Sequence, residues 1–344
     1  MSKTITPKTI DFYNNTTMYI YCPANSATGG PEALHQLGYH LNLLGFKAVM
    51  FYYGPQTGNS PVNPVYQKYA VPYVSSVEDK ATNILLMPES YLFPLFDKKT
   101  KSIRKVIWWL SVTNYETVLQ NHIRDKQHKK FFNLRLNFGM FKIPTIKTLR
   151  QKKVLNIRHS YYSQHFLEQN GLEVAGKISD YMNAAFFDLV DEQAKKEDVI
   201  IYNPVKNGDF LNQIIAQTPE LNWKPLIGMP PPEVAHWMNK SKLYVDFGYH
   251  PGKERMPREA CIMRCCLIIG RDGSARFDED MPIADKYRFE KDMAQIPAII
   301  GTVKDCLNNY EANVSDFAAY RKVLYLEQET FVADIKSVFK RAKM

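Results

Sequence analysis

The segment Asp246-Phe-Gly-Tyr-His-Pro-Gly-Lys-Glu-Arg-Met-Pro-Arg-Glu-Ala260 holds the residue types in this chain best suited to chemistry. Gly248 and Gly252 let backbone N–H groups approach a phosphate, and a helix opening near Pro257 adds the positive end of its dipole. Lys253, Arg255 and Arg258 add cationic side chains, with His250 and Glu254 beside them. The chemistry these residues suit is the binding of a nucleotide. Glu259 stands two residues after Pro257 and is expected in the first helical turn. A carboxylate there gains about 0.3–1 kcal/mol whatever its function, so electrostatics alone can explain it. As a functional group it accepts both hydroxyls of a ribose.

Lys206 and Asn207 follow an apolar strand expected over residues 198–202, within a turn expected over 204–208. A lysine there neutralises a leaving diphosphate; the competing reading is an exposed turn lysine. Arg271-Asp272-Gly273-Ser274-Ala275 follows another apolar run, 266–270, and is a small polar loop suited to contacting a donor. In the first half, Thr28-Gly29-Gly30-Pro31-Glu32 lies between a strand and a helix. It either meets a ligand with its backbone amides or is a tight turn without one. It is not a G-x-G-x-x-G fingerprint. Glu32 and Glu89 sit at strand-to-helix or strand-to-loop boundaries, which makes them candidate bases on an acceptor side.

The elements that must position these residues follow a β–α alternation. Apolar runs at 18–22, 48–52, 84–87, 106–110 and 154–157 predict strands, with a leucine-striped helix over 32–44 closed by Gly45. The pattern restarts with strands at 198–202, 223–227, 243–247 and 266–270, separated by helices at 210–217 and 233–239. A last helix is expected over 317–340. Short strands alternating with helices predict two parallel α/β units, with ligands at strand C-terminal ends. The predicted division is residues 1–180, 181–316 and a C-terminal helical segment, 317–344.

At 344 residues the chain has room for two such units, and 45% hydrophobic with 13% aromatic residues fits a globular protein. No run of eighteen apolar residues predicts a membrane span, and the N-terminal residues lack the apolar segment of a signal peptide. Five cysteines without metal-ligand spacing argue against a disulfide framework and for a cytoplasmic protein. No zinc set, H-E-x-x-H, Walker lysine loop or nucleophile elbow is present. The net charge of +9 is uneven: residues 98–153 hold fifteen Lys or Arg against Glu116 and Asp125. Lys129, Lys130, Phe131, Phe132, Arg135, Phe138 and Lys142 interleave charge with apolar surface. That suits docking on an anionic membrane, while the same ingredients serve nucleic acid, or a core segment with a basic face.

The whole chain resembles bacterial two-domain GT-B glycosyltransferases that build cell-surface polysaccharides. The carriers are Thr28–Glu32, Leu86-Met-Pro-Glu89, Trp108-Trp-Leu-Ser111, Tyr202–Gly208 and Asp246–Ala260. The resemblance implies two Rossmann-like domains facing each other across a cleft, with a C-terminal helix returning to the first. It implies a nucleotide-sugar donor in the second half and a lipid-linked or polysaccharide acceptor in the first. No cofactor and no metal are expected, nor a nucleic-acid partner, and the location implied is the inner face of the membrane. Lys206 matches the basic residue on the donor diphosphate. Glu259 matches the second glutamate of the glutamate–seven residues–glutamate motif of retaining, family-four members. Pro251 stands where the first glutamate belongs. That departure moves donor-sugar recognition to backbone near Gly252 and Lys253, or to Glu254. The roles that follow are catalytic for Lys206, Arg255 and Glu259. Donor binding falls to Gly248, His250, Gly252, Lys253, Glu254, Arg258, Asp272, Gly273 and Ser274. The acceptor side is Gly29, Gly30, Glu32 and Glu89. The alternatives are a catalytically silent partner subunit, a nucleotide-sugar epimerase, and a nucleic-acid-binding protein using residues 98–153.

Overall fold

The computed structural model of the chain describes residues 9–131, 144–152 and 154–343. They fall into two compact units, one of residues up to Asp180 together with the segment from Glu329, the other spanning Tyr181–Gln328.

The first unit opens with strand β1 (Ile10–Tyr13), followed by β2 (Met18–Pro23), helix α1 (Gly29–Leu43) and β3 (Ala48–Tyr53). Next come β4 (Tyr73–Val74), β5 (Ile84–Pro88), β6 (Arg104–Trp109), α2 (Val112–Phe131) and α3 (Ile146–Lys152). Strand β7 (Leu155–Arg158), α4 (Tyr161–Gln169) and β8 (Val174–Lys177) complete it. Seven strands form one parallel sheet in the order β4-β3-β2-β5-β6-β7-β8. Central strands of such a sheet are covered on both faces, so they read as unbroken apolar runs. Ile84, Leu85, Leu86 and Met87 are accordingly all fully buried. Helix α1 lays Leu34, Leu37 and Leu41 into this core, and Gly38 lets it approach closely, since a Cβ there would stand 2.9 Å from Val71.

The second unit runs α5 (Ala184–Phe187), β9 (Glu197–Tyr202), α6 (Pro204–Ala216), β10 (Asn222–Pro225), α7 (Pro231–Lys240) and β11 (Ser241–Asp246). It continues with α8 (Arg255–Ile262), β12 (Cys266–Gly270), β13 (Arg288–Phe289), α9 (Ile296–Asn308), α10 (Tyr310–Ser315) and α11 (Ala318–Tyr325). Its sheet is parallel, in the order β10-β9-β11-β12-β13. The loops after β9, β11 and β12, three adjacent strands, therefore leave the same edge. All five cysteines are buried as free thiols.

The C-terminal segment departs from the predicted single helix over 317–340. It is α11, then α12 (Glu327–Val338), then a short strand β14 (Phe339–Ala342) paired in parallel with β1. The return to the first unit begins at Glu329, not 317. Phe317, Tyr320 and Leu324 are buried in the second unit's core, which keeps α11 there. Beyond that point Phe331 meets His40 edge-on at 5.5 Å, and the Arg341 guanidinium donates to the Leu44 and Gly45 carbonyls, closing the helix α1 terminus. No helix among the described residues is long and apolar enough to cross a membrane.

Candidate functional site

The site in the second unit is built outward from Asp246, the last residue of β11. Its buried carboxylate accepts from the Gly248 N–H and from the Tyr244 hydroxyl, each at 2.8 Å, which fixes the turn as the chain leaves the sheet. Gly248 is obligatory there. A Cβ would lie 2.8 Å from the Lys206 Cβ and 2.9 Å from Asp246 Oδ1. The close approach brings the first turn of α6 onto the β11–α8 loop. Residues 204–208 are not a turn as predicted but the start of α6, with Pro204 in its first position and the Asn203 side chain accepting from Val205 N–H at 3.0 Å. Gly208, at φ 55°, breaks the helical path just after it.

This geometry delivers Lys206 to the mouth of the loop. Its ammonium sits 2.5 Å from Glu254 Oε2 and 5.4 Å from the centre of the half-exposed Tyr249 ring. Glu254 is the N-cap residue of α8, yet no side chain caps that helix by hydrogen bond. The fold thus brings Lys206 against the Gly248–Glu259 loop.

Other residues of the segment behave differently from expectation. Helix α8 starts at Arg255, so Pro257 is its third residue and Glu259 lies beyond the first turn, which carries no acid. Glu259 is one turn below Arg255 and accepts from its guanidinium at 3.1 Å, the ordinary i,i+4 pairing. Lys253 and Arg258 do not stand open to a ligand. Both reach Glu327 at the start of α12, at 2.7 and 2.9 Å, and Arg258 also donates to the Glu254 and Lys253 carbonyls. Arg258 is 1% exposed. These two cations anchor the loop from beneath. Glu327 is a residue that sequence reasoning missed, since nothing local signals a carboxylate sixty-nine residues from its arginine.

His250 lies wholly buried behind the loop, both ring nitrogens without hydrogen-bond partners, 4.0 Å from Asp246 Oδ1. Its carbonyl accepts from Ser274 N–H, and Ser274 Oγ donates to the Gly252 carbonyl at 2.5 Å. The 271–275 loop thus braces the β11–α8 loop. Gly273, at φ 51°, passes so close that a Cβ would stand 1.9 Å from the His250 carbonyl oxygen. Asp272 pairs with Lys291 at 2.7 Å.

In the first unit, Gly29 and Gly30 form the start of α1, whose N-cap Thr28 makes no side-chain bond to it. Glu32 is nearly buried and accepts from the Tyr69 hydroxyl at 3.1 Å. Glu89, just past β5, accepts from Leu110 N–H at 2.8 Å, tying the ends of β5 and β6. Burial pushes its carboxyl up to about 7, against the pull of the surrounding backbone N–H donors. Leu110 also touches the space above Gly30, so Glu89 and the glycine turn share one neighbourhood. Tyr53 stacks on Tyr91 at 3.6 Å beside them.

A cavity of about 1270 Å³ lies in the second unit at the opposite end of its strands, lined by the segment before β9, Lys242 near the start of β11 and residues after α8 and α9. Two of its cations are spent on helix C-termini. Lys196 donates to the Met238, Ser241 and Met263 carbonyls and Lys242 to that of Leu307. It carries no sign of chemistry. The predicted docking residues Phe132, Arg135, Phe138 and Lys142 lie outside the described residues. Lys129, Lys130 and Phe131 end α2.

No protein-family model matches the sequence, and no curated protein matches it significantly. Solved structures match well. A glycosyltransferase from Rickettsia africae superposes with a TM-score of 0.59 at 13% identity, over 95% of this chain and 99% of that one. Sucrose-phosphate synthase from Thermosynechococcus elongatus gives 0.58 at 10%, over 93% and 97%. Anabaena HepE, solved with UDP-glucose, gives 0.56 at 8%, over 93% and 98%. Against TarM the chain spans only 54% of that protein, with a TM-score of 0.48. At these identities the likeness speaks to fold, and the chain has the two-unit GT-B fold of glycosyltransferases.

Proposed function

We propose that the chain is a glycosyltransferase, moving a sugar from a nucleotide-sugar donor held by the second unit to a lipid-linked or surface-polysaccharide acceptor. The observation that carries this reading is the meeting of Lys206, Gly248 and the uncapped start of α8 at the C-terminal edge of a parallel sheet. That edge is where open α/β sheets hold ligands. The bound UDP-glucose of HepE adds a precedent on the same fold.

When a nucleoside diphosphate leaves, negative charge grows on its β-phosphate. Fixed positive groups aimed there lower the barrier more than they do in water. Lys206 and the α8 terminus supply such charge, and Arg255, about half exposed, adds a second guanidinium at the rim. No metal is needed for that task. Glu259 holds Arg255 in place and remains the candidate for the ribose hydroxyls. On the acceptor side, a Glu89 carboxyl that titrates near neutrality suits a proton acceptor. The basic stretch around Lys129 and Lys130 would keep the enzyme at an anionic membrane, where a lipid-linked acceptor resides.

The purified chain, given a panel of labelled nucleotide sugars and a lipid-linked saccharide primer, should transfer label to the primer. Release of free sugar without primer should be slow, and transfer should persist in chelator. Absence of transfer from every donor, with nucleotide binding intact, would instead favour a silent partner subunit, the reading that Pro251 supports.

A further inference from the structure

Glu254 is the acid paired with Lys206 at the candidate donor site, and its position is odd for a residue meant to greet an anion. It occupies the N-cap of α8, where serine, threonine, asparagine or aspartate would normally bond the free N–H groups. Its side chain makes no such bond and turns to the Lys206 ammonium at 2.5 Å. The pair is partly sheltered, with side-chain exposures of 27% and 19%. Tyr249 lies over the same ammonium, limiting its freedom further. The surroundings hold the two together from both sides. Gly248 presses the loop onto Lys206, and Arg258, itself bonded to Glu327, holds the Glu254 carbonyl at 3.1 Å. The other nearby cations are engaged elsewhere, Lys253 with Glu327 and Arg255 with Glu259.

Thus a carboxylate from the N-cap of α8 holds the Lys206 ammonium and leaves the helix N–H groups uncapped, the two groups that would hold a diphosphate. We infer that Glu254 is an internal stand-in for the diphosphate, closing the site until a ligand displaces it from Lys206. The inference rests on the second unit's loop edge being the donor site. A diphosphate oxygen drawn to Lys206 is repelled by the Glu254 carboxylate at the same ammonium, which favours breaking the Lys206–Glu254 pair on binding. A weakly charged ligand would not do so. The exchange therefore makes the site selective for the double charge of a diphosphate over a neutral or singly charged sugar compound. Glu254 acts through Lys206 and is a positioning residue in this scheme.

Isothermal titration of the full chain with inorganic pyrophosphate and with a panel of nucleoside diphosphates tests this. Four proteins are compared: wild type, Glu254→Gln, Lys206→Ala and the double variant. Glu254→Gln keeps size and hydrogen-bonding capacity but removes the charge. It should bind pyrophosphate and one nucleoside diphosphate about tenfold more tightly, a change of about 1.4 kcal/mol. In the Lys206→Ala background the same substitution should have little effect, because the contact it releases is gone. Equal or weaker binding by Glu254→Gln overturns the gate. So does an equal gain in both backgrounds, which would mark general repulsion, not a displaced pair. If Glu254→Gln tightens pyrophosphate binding through Lys206 while no nucleotide binds any variant, the gate stands and the nucleotide-sugar reading fails. Circular dichroism of each variant separates these outcomes from loss of fold.

Discussion

Individual side chains decide whether the candidate site works, and Glu89 shows how burial and charge set a testable behaviour. Its folded carboxyl titrates near 7, above the 4.5 of an unburied glutamate. Between those values the unfolded chain gives up the proton first, so the folded state binds more protons and stability falls as pH rises. Below about 4.5 both states are protonated and the effect vanishes. Glu89→Gln should therefore gain stability relative to wild type as pH climbs from 4.5 to 7.5, by on the order of 3 kcal/mol at the top. Thermal melts across that range check this, and a flat difference would contradict the buried-carboxyl account. Glu327 makes the opposite case. Glu327→Ala leaves Arg258 buried without its anion, and breaking such a pair costs about 3–5 kcal/mol. Urea unfolding should show that loss.

Elements explain why some of these residues were legible in the sequence and others were not. Gly248, Lys206 and the β11–α8 connection stand out because strand, glycine and helix signals are local. The roles of Lys253 and Arg258 were not legible. Their partner Glu327 comes from α12, and only the tertiary fold places it beneath the loop. The start of α8 was misplaced for a simple reason. Pro257 signals a first position, but proline is also tolerated at the third, where its missing N–H would have no intrahelical partner anyway. The C-terminal segment read as one helix because its apolar stripe spans two helices with a break near Leu326, and β14 is too short to announce itself. Loop bracing gives a prediction at this scale. Gly273→Ala drives a Cβ into the His250 carbonyl and forces a positive φ on alanine. It should cost about 2–4 kcal/mol, and site binding should weaken with it. Melting temperature and nucleotide affinity measured together would show whether the 271–275 loop supports the site.

For the molecule as a whole, two Rossmann-like units were readable from the strand–helix rhythm, because parallel sheets demand apolar central strands, while the returning C-terminal segment was implied only by the resemblance. Charge distribution adds a prediction of its own. Reversing Lys129, Lys130 and Lys142 to glutamate should reduce binding to vesicles containing anionic lipid, by about 1 kcal/mol for each charge near the surface before the reversal is counted. Unchanged vesicle binding would remove the membrane from the account. The central claim is that the loop edge of the second unit binds a nucleotide through Lys206. It is tested most directly by thermal stabilisation of the purified chain against nucleoside diphosphates and nucleotide sugars, beside Lys206→Ala. The account predicts that one nucleotide adds about 2.7 kcal/mol of stability at a hundred times its Kd, and that Lys206→Ala loses most of this at the same concentration. A panel that shifts neither protein, or shifts both equally, would contradict it.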